Sequence, residues 1–264
     1  MINEITVSSI DDAAEILKQQ TYSEKSGSYR SRWLYRGMPD AAFTLETTLE
    51  RACRDKAYEL EEAILRSFSK YAPNEVTGSN VWERMVIGQN YGLPTRLMDW
   101  SHSPLIALHF STSGEDLSNM DKHDSVIWRI DIDEINSLLP AKYKEILSEN
   151  KTKMYTAEML EKSGIGLHEY DKDMDGKAAV ILEPDSLDER IVRHYGNFLI
   201  VPKKMDVEQY LKSFTEKTEK YIIKASARWR IRDMLDELNV NERLLWPGTD
   251  GVCKTIYRHY YVRQ

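Results

Sequence analysis

An arginine set in an apolar, aromatic strand and followed at once by glycine is a pattern that packing alone does not choose. The segment "WLYRGM", residues 33–38, puts Arg36 behind Trp33, Leu34 and Tyr35, with Gly37 next. A guanidinium in such a strand must be paired or must hold a ligand, because burying it bare is expensive. Its planar fork of donors suits a phosphate or a carboxylate, and Gly37 would let a ligand or another backbone approach closely. The competing reading is a structural ion pair with an inward carboxylate such as Asp99, and spacing alone leaves both open.

A second stretch, "QNYGLPTRLMDWSHSP" at 89–104, has more content. Gly92 and Pro94 shape a rigid turn, and Thr95 and Arg96 add donors. Asp99, Trp100 and Ser101 then crowd a strand end just before a helix N-terminus, where anions are favoured. Against this stands a turn in which Asp99 merely satisfies Arg96 or Arg36 while Trp100 is core.

Other candidates are weaker. Asp171, Asp173, Asp175 and Gly176 have the spacing of a calcium loop, but the twelfth position is Leu182 rather than a bidentate glutamate, and the segment reads as an acidic turn. His102, His109 and His194 could meet in space, yet scattered histidines are more often packed than ligating, and no metal is expected. Neither a P-loop, a GxGxxG run nor a GxSxG elbow is present.

The elements that must position these residues alternate irregularly. Helical patterns cover 11–20, "KAYELEEAILRSFSKYA" with Leu60, Ile64, Leu65, Phe68 and Tyr71 on one stripe, "VWERMVIGQNYG", and "SPLIALHFST" with Ser103 as cap and Pro104 at the first position. Helices are also expected at 206–217, over "ARWRIRDMLDEL" and after Gly251. Strands are expected at "RWLYRG", "RLMDW", "DSVIWRIDI", "KAAVILEP", "GNFLIVPK" and "KYIIKAS". This order predicts an α+β fold, a single mixed domain over 1–264 with a helical and loop-rich insertion at 133–175.

The chain of 264 residues is 41% hydrophobic, ample for a buried core. No window approaches a membrane span and the N-terminus has no signal pattern, so no membrane association and a cytoplasmic location are expected. Cys53 and Cys253 show no ligand spacing. The formal charge of −7 argues against a uniformly basic nucleic-acid grip. Residues 203–264 nevertheless hold 13 Lys and Arg against 9 Asp and Glu, so they carry +4 and the remainder −11.

Taken together, "YRG" at 35–37, "FTLETTLER", "GQNYGLPTRLMDWSHSPLIALHFS", "RIVRHYGNFLIVP" and "ERLLWPGTDG" resemble the FRG-domain family, whose motifs are matched in order along most of the chain. Asn90, His194 and Trp246 depart from the usual His, Gln and Phe. The family is similar in motif order to ADP-ribosyltransferases, including toxins of bacterial toxin–antitoxin and phage-defence systems. The resemblance implies a split sheet with surrounding helices, NAD as co-substrate, and transfer of ADP-ribose to a macromolecule, RNA favoured over protein. A neutralising antitoxin or a chaperone would be the protein partner. Arg36 would hold the pyrophosphate beside Tyr35 and Gly37; Tyr91 or Trp100 would stack on nicotinamide; Thr95, Arg96 and Ser101 would contribute polar contacts. The acid would be Asp99 or Glu189, and His194 a general base. The alternatives are a non-enzymatic module that recognises a partner protein and a nucleotide-handling hydrolase.

Overall fold

The strand that carries Arg36 lies in the middle of the sheet. In the computed structural model, which describes residues 2–24, 27–114, 116–184, 193–194 and 196–263, Trp33–Met38 forms strand β4. The other sheet strands are β1 (Asn3–Val7), β5 (Leu97–Ser101), β6 (Ser125–Asp131), β7 (Val180–Leu182), β8 (Gly196–Ile200) and β9 (Glu219–Ile223). Among the described residues they form one seven-stranded sheet in the order β1-β9-β6-β4-β5-β8-β7, with β1 parallel to β9 and the other neighbours antiparallel. β2 (Thr21–Ser23) and β3 (Ser28–Arg30) make a separate ribbon. The chain adopts the expected α+β class. β1 was not expected; its exposed Asn3 and Glu4 hide the pattern of an edge strand.

β4 and β6 pair over six positions, from Trp33–Asp131 to Met38–Val126. By contrast, β4 and β5 are registered at one pair, Tyr35–Ser101, and then part. The sheet is therefore split into a four-stranded and a three-stranded half that meet at this point.

Side-chain alternation turns the split into a cleft. One face of the sheet has a core common to both halves: Leu34, Met38, Trp128 and Ile130 continue into Met98, Trp100, Ile181 and Leu199. On the other face the core is divided. Tyr35, Ile127 and Tyr221 pack under helices Ile10–Leu17, Pro104–Ser111 and Ala225–Glu237. Leu97, Phe198 and Ile200 pack under helix Val81–Asn90 and under the helices between β6 and β7. Of these, Ala141–Glu149, Ala157–Lys162 and Leu167–Met174 cover this face, whereas Ile132–Ser137 buries Ile132 and Ile135 in the common core; together they occupy the segment read as an insertion.

Two sequence readings change. The acidic run at 171–175 is not only a turn: Asp171 and Asp173 lie on helix Leu167–Met174, and Asp171 binds Arg96. In helix Ala57–Tyr71 the buried residues are Ala57, Glu61 and Leu65, while Leu60 and Tyr71 are exposed. The same buried Arg96 rotates that face inward by pairing with Glu61.

Helix Pro104–Ser111 starts, as expected, with Pro104 at its first turn. It lies so close to β4 that a Cβ on Gly37 would come within 2.8 Å of the Ala107 carbonyl carbon and 2.9 Å of the Ser111 amide nitrogen, and closer still to the Ala107 oxygen. The approach that Gly37 permits is that of a helix backbone. Gly37→Ala should therefore destabilise the fold by about 3 kcal/mol, read as a lower urea midpoint, because backbone cannot yield as a flexible side chain can.

Candidate functional site

Where β4 and β5 part there is a cavity of about 360 Å³. Tyr35, Arg36 and Gly37 line it from β4, Asp99, Trp100 and Ser101 from β5, and Gly196, Asn197 and Phe198 from β8. Helix Pro104–Ser111 adds Ile106, Ala107 and Phe110, helix Val81–Asn90 adds Gln89 and Asn90 from its last turn, and His194 and Trp246 complete the wall. Of the residues expected at the site, Tyr35, Arg36, Gly37, Asp99, Trp100, Ser101 and His194 are brought together here.

Arg36 bridges the gap left by the missing strand pairing. Its Nη1 donates to the Asp99 backbone carbonyl at 2.8 Å. The same nitrogen is 3.8 Å from Asp99 Oδ2, with the Asp99 side chain 61% exposed. This is a loose pair, and Arg36 Nε is buried with no hydrogen-bond partner among the described residues. Burial lowers the Arg36 pKa, Asp99 opposes the shift, and the nearby Arg51 adds to it. The guanidinium remains charged at neutral pH, since arginine does not lose its proton in proteins.

Asp99 is held by an ordered relay of polar side chains. Gln89 Nε2 donates to Asp99 Oδ2 at 3.1 Å, while Gln89 Oε1 accepts from Thr95 Oγ1 at 2.6 Å. Thr95 is itself fixed by Thr48, whose hydroxyl accepts from the Thr95 amide at 3.0 Å and donates to the Thr95 carbonyl at 3.2 Å. Thr95 is thus buried behind the cavity and orients Gln89, which in turn orients the carboxylate.

The back wall is aromatic. His194 contacts the Phe110 and Trp246 rings at 5.5 and 5.8 Å, and its Nε2 lies 3.2 Å from the Leu245 carbonyl. Behind it, His109 is wholly buried, 5.4 Å from the Trp246 ring, and its Nδ1 accepts from Arg232 at 2.7 Å. Burial, with Arg232 beside it, pushes the His109 pKa down to about 3, so it is a neutral acceptor. Burial also raises Tyr35 to about 12. His109 and His194 do meet, around Trp246. His102 sits apart beside the Trp33 backbone, and no cluster of three metal-ligating side chains occurs among the described residues.

Several expected contacts fall elsewhere. Arg96 points away from the cavity into a buried ion-pair triad, with Nε donating to Glu61 at 2.7 Å, Nη2 bonding the other Glu61 oxygen, and Nη1 donating to Asp171 at 2.6 Å. Trp100 is 2% exposed and belongs to the common core, so it offers no open ring face for stacking. Ser101 Oγ already donates to the His194 carbonyl at 2.6 Å and accepts from the Ser103 amide, which anchors His194 to the split. Tyr91 is 66% exposed and not among the lining residues. Glu189 lies outside the described residues.

Gln89, Asn197, Phe110 and Trp246 were not singled out as site residues from sequence. Gln89 stood inside the "GQNYG" stretch, but only the bond to Thr95 gives it a direction.

Residues 31–120 match the family described as FRG domain. Over this stretch the chain is similar to an FRG domain. The matched stretch holds Arg36, Gln89, Asp99 and Phe110, whereas His194, Asn197 and Trp246 reach the cleft from beyond it. No curated protein and no solved structure matches the chain. Among the described residues no helix is long and apolar enough to cross a membrane.

The two arginines of the motifs should separate on mutation. Arg96→Ala leaves Glu61 and Asp171 without their cation and should cost about 3–5 kcal/mol in urea denaturation. Asp99→Asn removes only a loose, exposed partner of Arg36 and should stay within about 1 kcal/mol of the parent.

Proposed function

We propose that the FRG-domain cleft is the NAD site of an ADP-ribosyltransferase, with NAD as co-substrate and a macromolecule, RNA favoured over protein, as acceptor. The observation that carries this reading is Arg36. A half-buried guanidinium with its Nε buried and unpartnered and its carboxylate neighbour held loosely at 3.8 Å is arranged to accept an anion. A structural ion pair would be closed.

The remaining walls suit the rest of such a substrate. Phe110 and Trp246 supply an aromatic side for a planar ring, and the cavity lies at the lower end of the range for small-molecule pockets. Asp99, exposed and aimed by Gln89, is the carboxylate for the positive charge that grows on the ribose as the bond to nicotinamide loosens. In the transfer that C–N bond breaks, nicotinamide leaves with the bonding pair, and an acceptor oxygen or nitrogen forms the new bond to the ribose carbon. The acceptor gives up a proton, for which His194 is the cavity-lining candidate base. Trp100 and Thr95 enter this account as supports of the wall and of Gln89, and Arg96 as a support of the fold.

RNA is favoured on the acceptor side by the exposed Tyr91 ring, next in sequence to the cavity-lining Asn90, which can stack a base. The setting that fits such an activity is a toxin or anti-phage effector, kept in check by a protein partner.

The test is release of nicotinamide from NAD by the purified protein, with and without cellular RNA. Release should depend on RNA and fall by at least about a hundredfold in Asp99→Asn and in Arg36→Gln, each verified as folded by circular dichroism. No release and no thermal shift with NAD would instead favour a module that recognises a partner protein.

A further inference from the structure

The last helix, Thr249–His259, is turned inside out. It meets the body along Gly251, Thr255 and Arg258, three positions on one face, and that seam is polar. Gly251 is pressed onto backbone: an added Cβ would stand 3.1 Å from the Trp246 carbonyl carbon and nearer to the Trp246 and Glu242 oxygens. Thr255 Oγ1 accepts from the Arg243 amide at 2.9 Å. Arg258 donates to Glu242 at 2.7 and 2.8 Å and to Asp236 at 2.5 and 2.7 Å.

The apolar residues face the other way. Val252, Ile256 and Tyr260, four residues apart, are 38, 53 and 77% exposed, and Tyr257 beside them is 61% exposed. An amphipathic helix ordinarily buries its apolar stripe against its own core. When the polar seam is buried and the apolar stripe is presented outward, the exposed patch marks an interaction surface.

Charge selects the occupant. Asp250 is the helix's one carboxylate, while Lys254 on the helix and Arg243, whose amide binds Thr255, supply cations at its sides. The segment from 203 onward carries +4 against −11 for the remainder. Two copies meeting stripe to stripe would set these cations against their own equivalents, which disfavours a symmetric dimer. An amphipathic helix with apolar anchors and acidic flanks matches both the stripe and its border.

We propose that the outward face of helix Thr249–His259 is the docking site for an acidic amphipathic helix of a partner protein. The same helix touches the cleft wall, because Gly251 abuts the Trp246 carbonyl and Lys254 Nζ lies 5.0 Å over the Trp246 ring. An occupant would therefore bear on Trp246. The inference does not require that the cleft bind NAD.

Cys253 is exposed on this helix and provides the reporter. Full-length protein in a Cys53→Ser background, labelled at Cys253 with an environment-sensitive dye, is titrated with a synthetic helical peptide. The peptide carries leucines four and three residues apart and glutamates on its flanks; a control replaces each glutamate by lysine. A saturable emission shift is expected with the acidic peptide, weakening as salt rises. Binding should be at least about tenfold weaker for the lysine peptide and for Ile256→Asp, an exposed substitution whose folding is confirmed by circular dichroism. Equal binding of the two peptides, binding unaffected by Ile256→Asp, or no shift with either would overturn the proposal. Concentration-dependent dimers in light scattering that Ile256→Asp abolishes would also overturn it, by assigning the face to a second copy.

Discussion

The single register pair between Tyr35 and Ser101 is the constraint on which the rest depends. A sheet whose central strands pair at one position must satisfy backbone groups beyond that point by other means, and Arg36 does so by donating to the Asp99 carbonyl. The guanidinium is thereby both a brace across the split and the charged group at the cavity. The common core on one face keeps the two halves together, and the divided core on the other leaves the gap in which the cavity lies. Gly37 sets how close helix Pro104–Ser111, with Phe110, can come to that gap.

The motif that looks most like one site performs two separate jobs. Within "PTRLMDW", alternation along β5 sends neighbouring side chains to opposite faces, so Asp99 reaches the cleft while Trp100 enters the common core. Arg96, just ahead of the strand, fixes helix Ala57–Tyr71 and helix Leu167–Met174 to the three-stranded half through Glu61 and Asp171. Thr95 joins these roles by orienting Gln89 toward Asp99. The position of the carboxylate thus depends on a turn whose side chains Thr95 and Arg96 are buried behind the cavity rather than in its lining.

Much of this was legible in the sequence because it rests on short-range pattern. The strand with Arg36, the helix opened by Pro104 and the strands over 180–182 and 196–200 carry β-branched, aromatic or capping signals that local physics reads directly. The α+β class followed from their order. What was not legible depends on long-range partners. Nothing local tells that Arg96 finds Asp171 seventy-five residues away, that this places Glu61 on the buried face of its helix, or that Gly37 receives a helix backbone. Gln89 and Trp246 are unremarkable by type and become part of the cleft only through placement. The inverted C-terminal helix shows a period-3.6 stripe in sequence, but which face turns inward is decided by Glu242 and Asp236 pulling on Arg258.

The most direct measurement of the central claim is the side-chain Nε–Hε resonance of Arg36, assigned by its loss in Arg36→Lys and followed by NMR as NAD is added. If the split holds Arg36 as an anion-accepting brace, this signal should shift and gain protection from exchange with water as Nε finds an acceptor. An Arg36 signal that stays fixed while NAD perturbs residues elsewhere would contradict the account and leave Arg36 as a brace alone.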